Sequence, residues 1–319
     1  MTNDDFSRLV ETSHEWIVSR TGIRERRFAD ESESGVELGL RAAREALAVA
    51  RLDANDLDLV VVGTFTADQQ MPSMASLIQS GLGASRAGAF DLNAACSGFV
   101  YSFVTGASFI ESGRFRRVLV VGVDINSRFL DFSDRGTCIL FGDGAGAVVL
   151  EASTADEGLL SVVLGSDGAN GHHLTLGDTR ALSGVQTERE MQRPFMKMNG
   201  REVFRFAVRV MVDATQEVVQ SAELTLDDID LLVPHQANQR IIDAAIDRLA
   251  FPQDRVWVNL DRYGNTSAAS VPICLVEAER AGVLTDGKHL AMVAFGGGLT
   301  WAAGVIRWGS EGVNRADRR

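Results

Sequence analysis

The 319-residue chain repeats itself in order, and a long-range repeat restricts the fold more than any single motif does. The stretch LDANDLDLVVVGTFTAD (52–68) is echoed by LTLDDIDLLVPHQANQ (224–239): a polar turn, an apolar strand, then polar residues where the strand ends. GAFDLNAACSG (88–98) matches RVWVNLDRYGNTSAAS (255–270), each a short strand leading into small residues and then a helix. RRVLVVGVD (116–124), followed by GDGAGAVVLEA (142–152), matches KHLAMVAFGGG (288–298), followed by TWAAGVIRW (300–308). Three matched blocks in one order predict a duplication, with residues 1–155 as one half and 156–319 as the other.

Between the strands, apolar residues at three- and four-residue spacing predict helices over Glu37 to Val49, Met74 to Leu82, Gly98 to Ile110, Gly200 to Ser221 and Gln239 to Leu249. Alternating strands and helices mean an α/β fold whose apolar strands are mostly parallel and buried on both faces. A strand joined directly to the next through a glycine turn, as at GDGAGAVVL, implies one antiparallel member per sheet. The expected architecture is two sheets covered by helices and related by a pseudo-twofold. In open α/β sheets the working groups gather beyond the carboxyl ends of the strands. Cys96, His235 and Asn265 fall there, so three polar groups distant in sequence are expected to converge.

Composition removes several functional classes. The net charge of −12 argues against a nucleic-acid partner, which needs clustered Lys and Arg. No apolar run approaches the roughly 20 residues that cross a bilayer. The start, MTNDDF, has neither a basic region nor an apolar one, so no secretion signal is expected and the cytoplasm is the expected location. Cys96, Cys138 and Cys274 are widely spaced, with no pattern for a disulfide framework or a metal site.

Cys138 in CILFG and Cys274 in PICLVEA read as buried, inert thiols. Cys96 differs, because it starts a helix among Ala95, Ser97 and Gly98, where unsatisfied amides and the helix dipole are expected to favour a thiolate. His14 and His289 read as surface or strand-end residues, and His172 and His173 as part of a loop. His235 follows a buried strand directly. Asn265 would by itself be read as a helix cap. GDGAGA imitates a dinucleotide fingerprint but runs into a strand, which excludes that reading. The glycines of FGGGLTW allow close backbone approach to a ligand and suit an oxyanion hole.

The stretches EWIVSRTGIRERR (15–27), AACSGF (94–99), DRGTCILFGDGAGAVVL (134–150), KMNGREVF (197–204), VPHQANQRII (233–242), YGNTSAASVP (263–272) and AFGGGLTW (294–301) together resemble β-ketoacyl-acyl-carrier-protein synthase III, a thiolase-like condensing enzyme family. The resemblance implies a thiolase-like fold with a mixed five-stranded sheet in each half. One edge strand of the first half, the counterpart of LSVVLGSDG (160–168), has no match in this chain, which would leave its neighbour's edge open.

The resemblance also implies a decarboxylating Claisen condensation that initiates type II fatty-acid synthesis. Cys96 would take an acyl group, acetyl being the expected one, from acyl-CoA. Malonyl-ACP would then lose carbon dioxide, and its enolate would attack the acyl-Cys96 thioester. His235 and Asn265 would donate to the malonyl thioester oxygen, and the amides of Cys96 and Gly297 would form the oxyanion hole. Trp16 and Arg135 match the pair that sandwiches the CoA adenine, Thr12 and Arg20 match positions near its nucleotide, and Phe204 and Asn238 match the pantetheine tunnel. Arg201, Arg205 and Arg209, spaced every four residues, would with Arg240 and Arg248 dock an acidic acyl carrier protein. Met71 matches a residue that reaches the partner's acyl pocket in a homodimer. No cofactor or metal is expected. Two alternatives stay open from sequence: a related acyl-CoA-dependent condensing enzyme or acyltransferase of secondary metabolism, and a non-catalytic partner subunit.

Overall fold

A computed structural model describes residues 1–177 and 195–309; residues 310–319 of the expected second half lie outside the described residues. The first half runs α1 (Asn3–Phe6), α2 (His14–Thr21), α3 (Gly35–Ala50), β1 (Leu59–Gly63), α4 (Met74–Leu82), β2 (Gly88–Leu92), α5 (Gly98–Glu111), β3 (Arg117–Asp124), α6 (Arg135–Cys138) and β4 (Gly144–Glu151). The second continues with β5 (Gly158–Ser166), β6 (Leu174–Leu176), β7 (Met196–Met198), α7 (Gly200–Ser221), β8 (Leu231–Pro234), α8 (Gln239–Leu249), α9 (Leu260–Tyr263), α10 (Ser270–Arg280), β9 (His289–Gly296) and β10 (Thr300–Arg307). The five expected helices form where the periodicity places them. Their starts follow from local chemistry: Ser34 caps α3 in a box with Glu37, and Asn199 caps α7.

The first sheet has the order β2-β1-β3-β4 and the second β5-β10-β9-β8. β1 is parallel to β2 and β3, and β8 is parallel to β9, while β3–β4 and β9–β10 are antiparallel as the glycine turns imply. Because side chains alternate along a strand, each sheet buries two faces. Val60, Val62, Leu119 and Val121 pack outward under α3 and α4, while Val61, Val118 and Val120 face inward. The inward face joins Phe99 and Phe103 of α5, Cys274 and Leu275 of α10, and Leu231, Val233 and Met292 of the other sheet in one continuous core. α7 and α8 close the far side over Leu232, Val293 and Ala303. The result is five layers, with α5 and α10 between the two sheets.

The sheets depart from five strands in two places. In the second, the expected strand Val256 to Leu260 reduces to a single parallel bridge between Leu232 and Val256. The segment leaves the ladder because the Asn259 amide goes to Gln236 Oε1, at 3.1 Å, rather than to backbone. In the first, β4 has no outer neighbour among the described residues, at the position that β5 fills beside β10. A groove of about 620 Å³ runs along this open edge, walled by Ala147 and Val149, by Ala46 and Val49 of α3, and by Ile273 and Val276 of α10.

Candidate active site

The two halves use one backbone turn at the same point in their order, and the turns face each other. Beyond β2, the Asn93 side-chain oxygen accepts the Ala95 amide at 3.2 Å, and Ala95 adopts φ 48° before the chain enters Cys96 and α5. In the second half the Asn265 side-chain oxygen accepts the Ser267 amide at 2.8 Å, and Ser267 adopts φ 54° before α10. A non-glycine residue in this left-handed region is uncommon, and here it occurs twice at repeat-related sites. Close packing holds the turns together: a Cβ on Gly122 of β3 would lie 2.3 Å from the Ala268 carbonyl oxygen. Across the contact, the Ser267 hydroxyl donates to Cys96 Sγ at 3.2 Å.

Cys96 lies at the inner wall of a cavity of about 880 Å³ that His235 and Asn265 also line. His235 follows β8 and is fixed by its amide on the Val293 carbonyl at 2.7 Å and by an edge-on contact with the Phe295 ring. Its Nδ1 meets the Ser270 hydroxyl at 2.7 Å. With that hydroxyl donating to Nδ1, the ring proton sits on Nε2. Burial pushes the His235 pKa down to about 3, so the ring is neutral at working pH. Asn265 is oriented by the Ser267 amide, which commits its oxygen inward. Its NH2 has no hydrogen-bond partner among the described residues. The site thus combines one thiol with two neutral groups able to donate.

The resting state of Cys96 differs from the thiolate that its helix-start position suggests. Burial pushes the thiol up to about 12, and the nearby Asp124 carboxylate adds to the rise, against the lowering effect of the Ser267 hydroxyl. Desolvation outweighs the favourable helix start, so the sulfur rests protonated. Cys138 and Cys274 are fully buried with raised pKa values, as their apolar surroundings imply.

The cavity is also lined by the exposed Arg20, Arg135, Arg201, Arg205 and Arg240 and by the half-buried Trp16, Phe204 and Asn238. Arg20 and Arg135 both lie against the Trp16 ring, 5.3 and 5.1 Å from its centre. Arg135 also bonds the Glu11 carbonyl, which brings the strand of chain carrying Thr12 to these side chains. Thr12 is half-buried, and its hydroxyl has no partner among the described residues. Asn238 serves the fold as well, capping α8 through the Arg240 amide and donating to the Arg20 carbonyl. Arg209 and Arg248 are exposed on α7 and α8 but do not line the cavity. Gly296, not Gly297, lines the cavity; a Cβ there would lie 2.6 Å from the Cys96 amide nitrogen. Gly297 stands one residue on, against Ala95 and Leu174. Met71 is 87% exposed and lies outside the cavity wall.

Three residues at the site escape sequence reasoning: Ser267, Ser270 and Asp124. Asp124 carried a signal, since it is a carboxylate ending the otherwise apolar strand RRVLVVGVD. It is fully buried and accepts hydrogen bonds from Thr64, Phe65, Thr66 and Ala268, tying the end of β1 to the Asn265 turn. Among the described residues no cluster of His, Cys, Asp and Glu has the makings of a metal site.

Comparison with known proteins gives the family. The family model for 3-oxoacyl-[acyl-carrier-protein] synthase III matches residues 90–168, and the model for the C-terminal part of the same family matches 219–308. The β-ketoacyl-[acyl-carrier-protein] synthase III of Roseiflexus castenholzii is 52% identical over 310 residues, covering 97% of this chain and 94% of that protein. Among solved structures, 3-oxoacyl-[acyl-carrier-protein] synthase III from Aquifex aeolicus superposes with a TM-score of 0.91 at 42% identity, covering 97% of this chain and 95% of that one. The priming β-ketosynthase of the R1128 polyketide pathway superposes with a TM-score of 0.90 at 38% identity, covering 96% and 91%. The chain belongs to the β-ketoacyl-acyl-carrier-protein synthase III family.

Proposed function

We propose that this protein is the initiating condensing enzyme of type II fatty-acid synthesis, joining acyl-CoA, with acetyl as the expected acyl group, to malonyl-ACP and releasing CoA and carbon dioxide. The observation that carries the reading is a thiol at the inner wall of an arginine-lined cavity, with two neutral donors, His235 and Asn265, on the same cavity. Cys96 attacks the acyl-CoA carbonyl and keeps the acyl group as a thioester, which it can later surrender. The amide of Cys96 would hold the oxyanion of that step together with that of Gly297, which stands one residue beyond the cavity-lining Gly296 and against Ala95. His235 Nε2–H and the Asn265 NH2 then stabilise the enolate oxygen that forms as malonyl-ACP loses carbon dioxide. Neutral donors suit this role because a carboxylate would repel the developing charge.

Trp16, Arg20, Arg135 and Thr12 would receive the nucleotide end of CoA, with Phe204 and Asn238 along the pantetheine arm. The exposed Arg201, Arg205, Arg209, Arg240 and Arg248 supply a basic face for an acidic carrier protein on a chain that is otherwise acidic. A homodimer, with Met71 at its interface, a cytoplasmic location and no cofactor complete the reading. Among the described residues no helix is long and apolar enough to cross a membrane. The test is incubation with acetyl-CoA and malonyl-ACP. Acetoacetyl-ACP is the expected product, and turnover toward some other acceptor with none of that product would refute the assignment.

A further inference from the structure

In the proposed reaction the sulfur of Cys96 carries negative charge twice, once as it gives up its proton to attack and once as the acyl group is taken from it. Its surroundings oppose both. Burial pushes the thiol up to about 12, Asp124 at the end of β3 adds to the rise, and His235 beyond β8 is neutral. The side chain that donates to the sulfur is Ser267, whose Oγ lies 3.2 Å from Sγ.

The duplication shows what the turn at Ser267 requires of its own accord. In the first half the Asn93 oxygen takes the Ala95 amide, and Ala95 stands at φ 48°. In the second the Asn265 oxygen takes the Ser267 amide, and Ser267 stands at φ 54°. One turn forms with a methyl side chain and the other with a hydroxymethyl, so the backbone has no need of the hydroxyl. The turn that carries it is the one facing the nucleophile. Its position is firmly built, because the next amide, that of Ala268, goes to Asp124 Oδ2 at 3.1 Å. Ser267 is fully buried, where a hydroxyl without a partner would cost free energy. Its one proton goes to sulfur.

We propose that the Ser267 hydroxyl is a catalytic donor to the Cys96 sulfur, stabilising the negative charge that gathers there when the acyl group arrives and again when it leaves. The inference rests on the reading that Cys96 takes the acyl group. During acyl transfer the Sγ proton passes to solvent, the Sγ–carbon bond forms and the carbon–sulfur bond to CoA breaks. CoA leaves with the electron pair and takes up a solvent proton in turn. In condensation the enolate carbon bonds to the acyl carbon, the Sγ–carbon bond breaks and the sulfur keeps the pair. That thiolate is protonated from solvent, and the malonyl carboxylate has left as neutral carbon dioxide, so one solvent proton is consumed per turnover. Ser267 keeps its own proton throughout. A hydrogen bond to an anion is roughly twice as strong as one to a neutral group. The Ser267 bond therefore strengthens as charge builds on sulfur, more than in the resting thiol or the thioester, and that difference is what lowers a barrier. After burial, which raises the Cys96 pKa, the Ser267 hydroxyl acts on it most strongly, and it acts to lower it.

The test compares two rates in wild type, Ser267→Ala and Ser267→Gly. One is first-turnover transfer of acetyl from acetyl-CoA to Cys96, read by mass spectrometry of quenched protein; the other is carbon dioxide release from malonyl-ACP. Alanine reproduces the side chain found at Ala95 and glycine suits a positive φ, so each variant has a form of the turn it can keep. Acyl transfer should slow by roughly ten-fold in both, the size of one hydrogen bond to a charged group. Carbon dioxide release should slow by less, since it places no charge on the sulfur. An acyl-transfer rate within about two-fold of wild type in either variant overturns the proposal. So do equal losses in the two rates, which would make Ser267 a support for Asn265 and nothing more. Absence of acyl-Cys96 from the wild-type protein would instead remove the proposed function, so the two failures are distinguishable.

Discussion

The Asn265 side-chain oxygen accepts the Ser267 amide at 2.8 Å, and that single bond decides which end of the Asn265 amide is left free at the cavity. Asn265→Asp keeps the acceptor and replaces the donor by a negative oxygen. Malonyl-ACP decarboxylation should fall by roughly a hundred-fold or more, in line with about 3 kcal/mol for an oxyanion donor. Acyl transfer to Cys96 should stay measurable. The two half-reactions are separated by following carbon dioxide release and the mass of the acyl-enzyme, and equal losses in both would count against the role given to Asn265.

Thiol reactivity should sort by cavity access. Cys96 lines the cavity, whereas Cys138 and Cys274 are fully buried. Iodoacetamide at neutral pH is expected to modify Cys96 slowly, because its thiol is pushed up to about 12, and to spare the other two in native protein. Peptide mapping reads the site of modification. Cys96→Ser should leave no acyl-enzyme detectable with acetyl-CoA.

His235 links the site to acid stability. Its pKa falls from the ordinary 6.5 to about 3 on folding, so the unfolded chain binds the extra proton anywhere between these values. Stability from this group is fully present above pH 6.5 and is lost as pH drops toward 3, by on the order of a few kcal/mol. Asp124 works with the opposite sign, since a carboxyl raised from 3.8 to about 6 favours the native state as pH falls through that window. Urea unfolding at a series of pH values should show a shallower acid decline for His235→Asn than for wild type. An unchanged slope would mean that the ring is not held neutral by burial.

Gly122→Ala tests the closeness of the two turns. The added methyl would lie 2.3 Å from the Ala268 carbonyl oxygen, which is backbone and cannot swing away. The expected cost is about 1–3 kcal/mol of stability, as for other overpacked cores. Displacing the turn also moves Ser267 off Cys96 Sγ, so acylation should fall further than the folded fraction does. Calorimetry alongside acylation kinetics gives both numbers.

Charge reversal at Arg205 or Arg209 should weaken malonyl-ACP without touching the sulfur chemistry. Both side chains are exposed on one face of α7. The expected result is a raised KM for malonyl-ACP, a weaker salt dependence and an unaltered rate of Cys96 acylation by acetyl-CoA. A KM unchanged in both variants would place carrier docking elsewhere.

Much of this was readable in the chain. Helical spacing placed α7 and α8 without error in their bounds, and the duplication brought Cys96, His235 and Asn265 to one place because strand ends in such sheets converge. What could not be read depended on backbone detail or on burial. The contact between Ser267 and Cys96 needs a left-handed residue at 267 and a bare Gly122 behind it, neither of which periodicity reports. The protonation state of Cys96 is a contest between the helix start and desolvation, and only the packed structure shows that desolvation wins. The strand expected from Val256 dissolves because the Gln236 side chain captures a backbone amide, a competition invisible to hydropathy.

A cavity that Trp16, the arginines and Cys96 all line also imposes an order in time. In the proposed reaction both carriers would enter past the same arginines, the first to acylate the sulfur and the second to bring its malonyl group to His235 and Asn265 beside the acyl-sulfur, so the first would have to withdraw before the second entered. Such an enzyme would turn over by a ping-pong route: free CoA and malonyl-ACP would compete for one passage, with the acyl-enzyme as the memory that carries the first substrate's identity across the exchange.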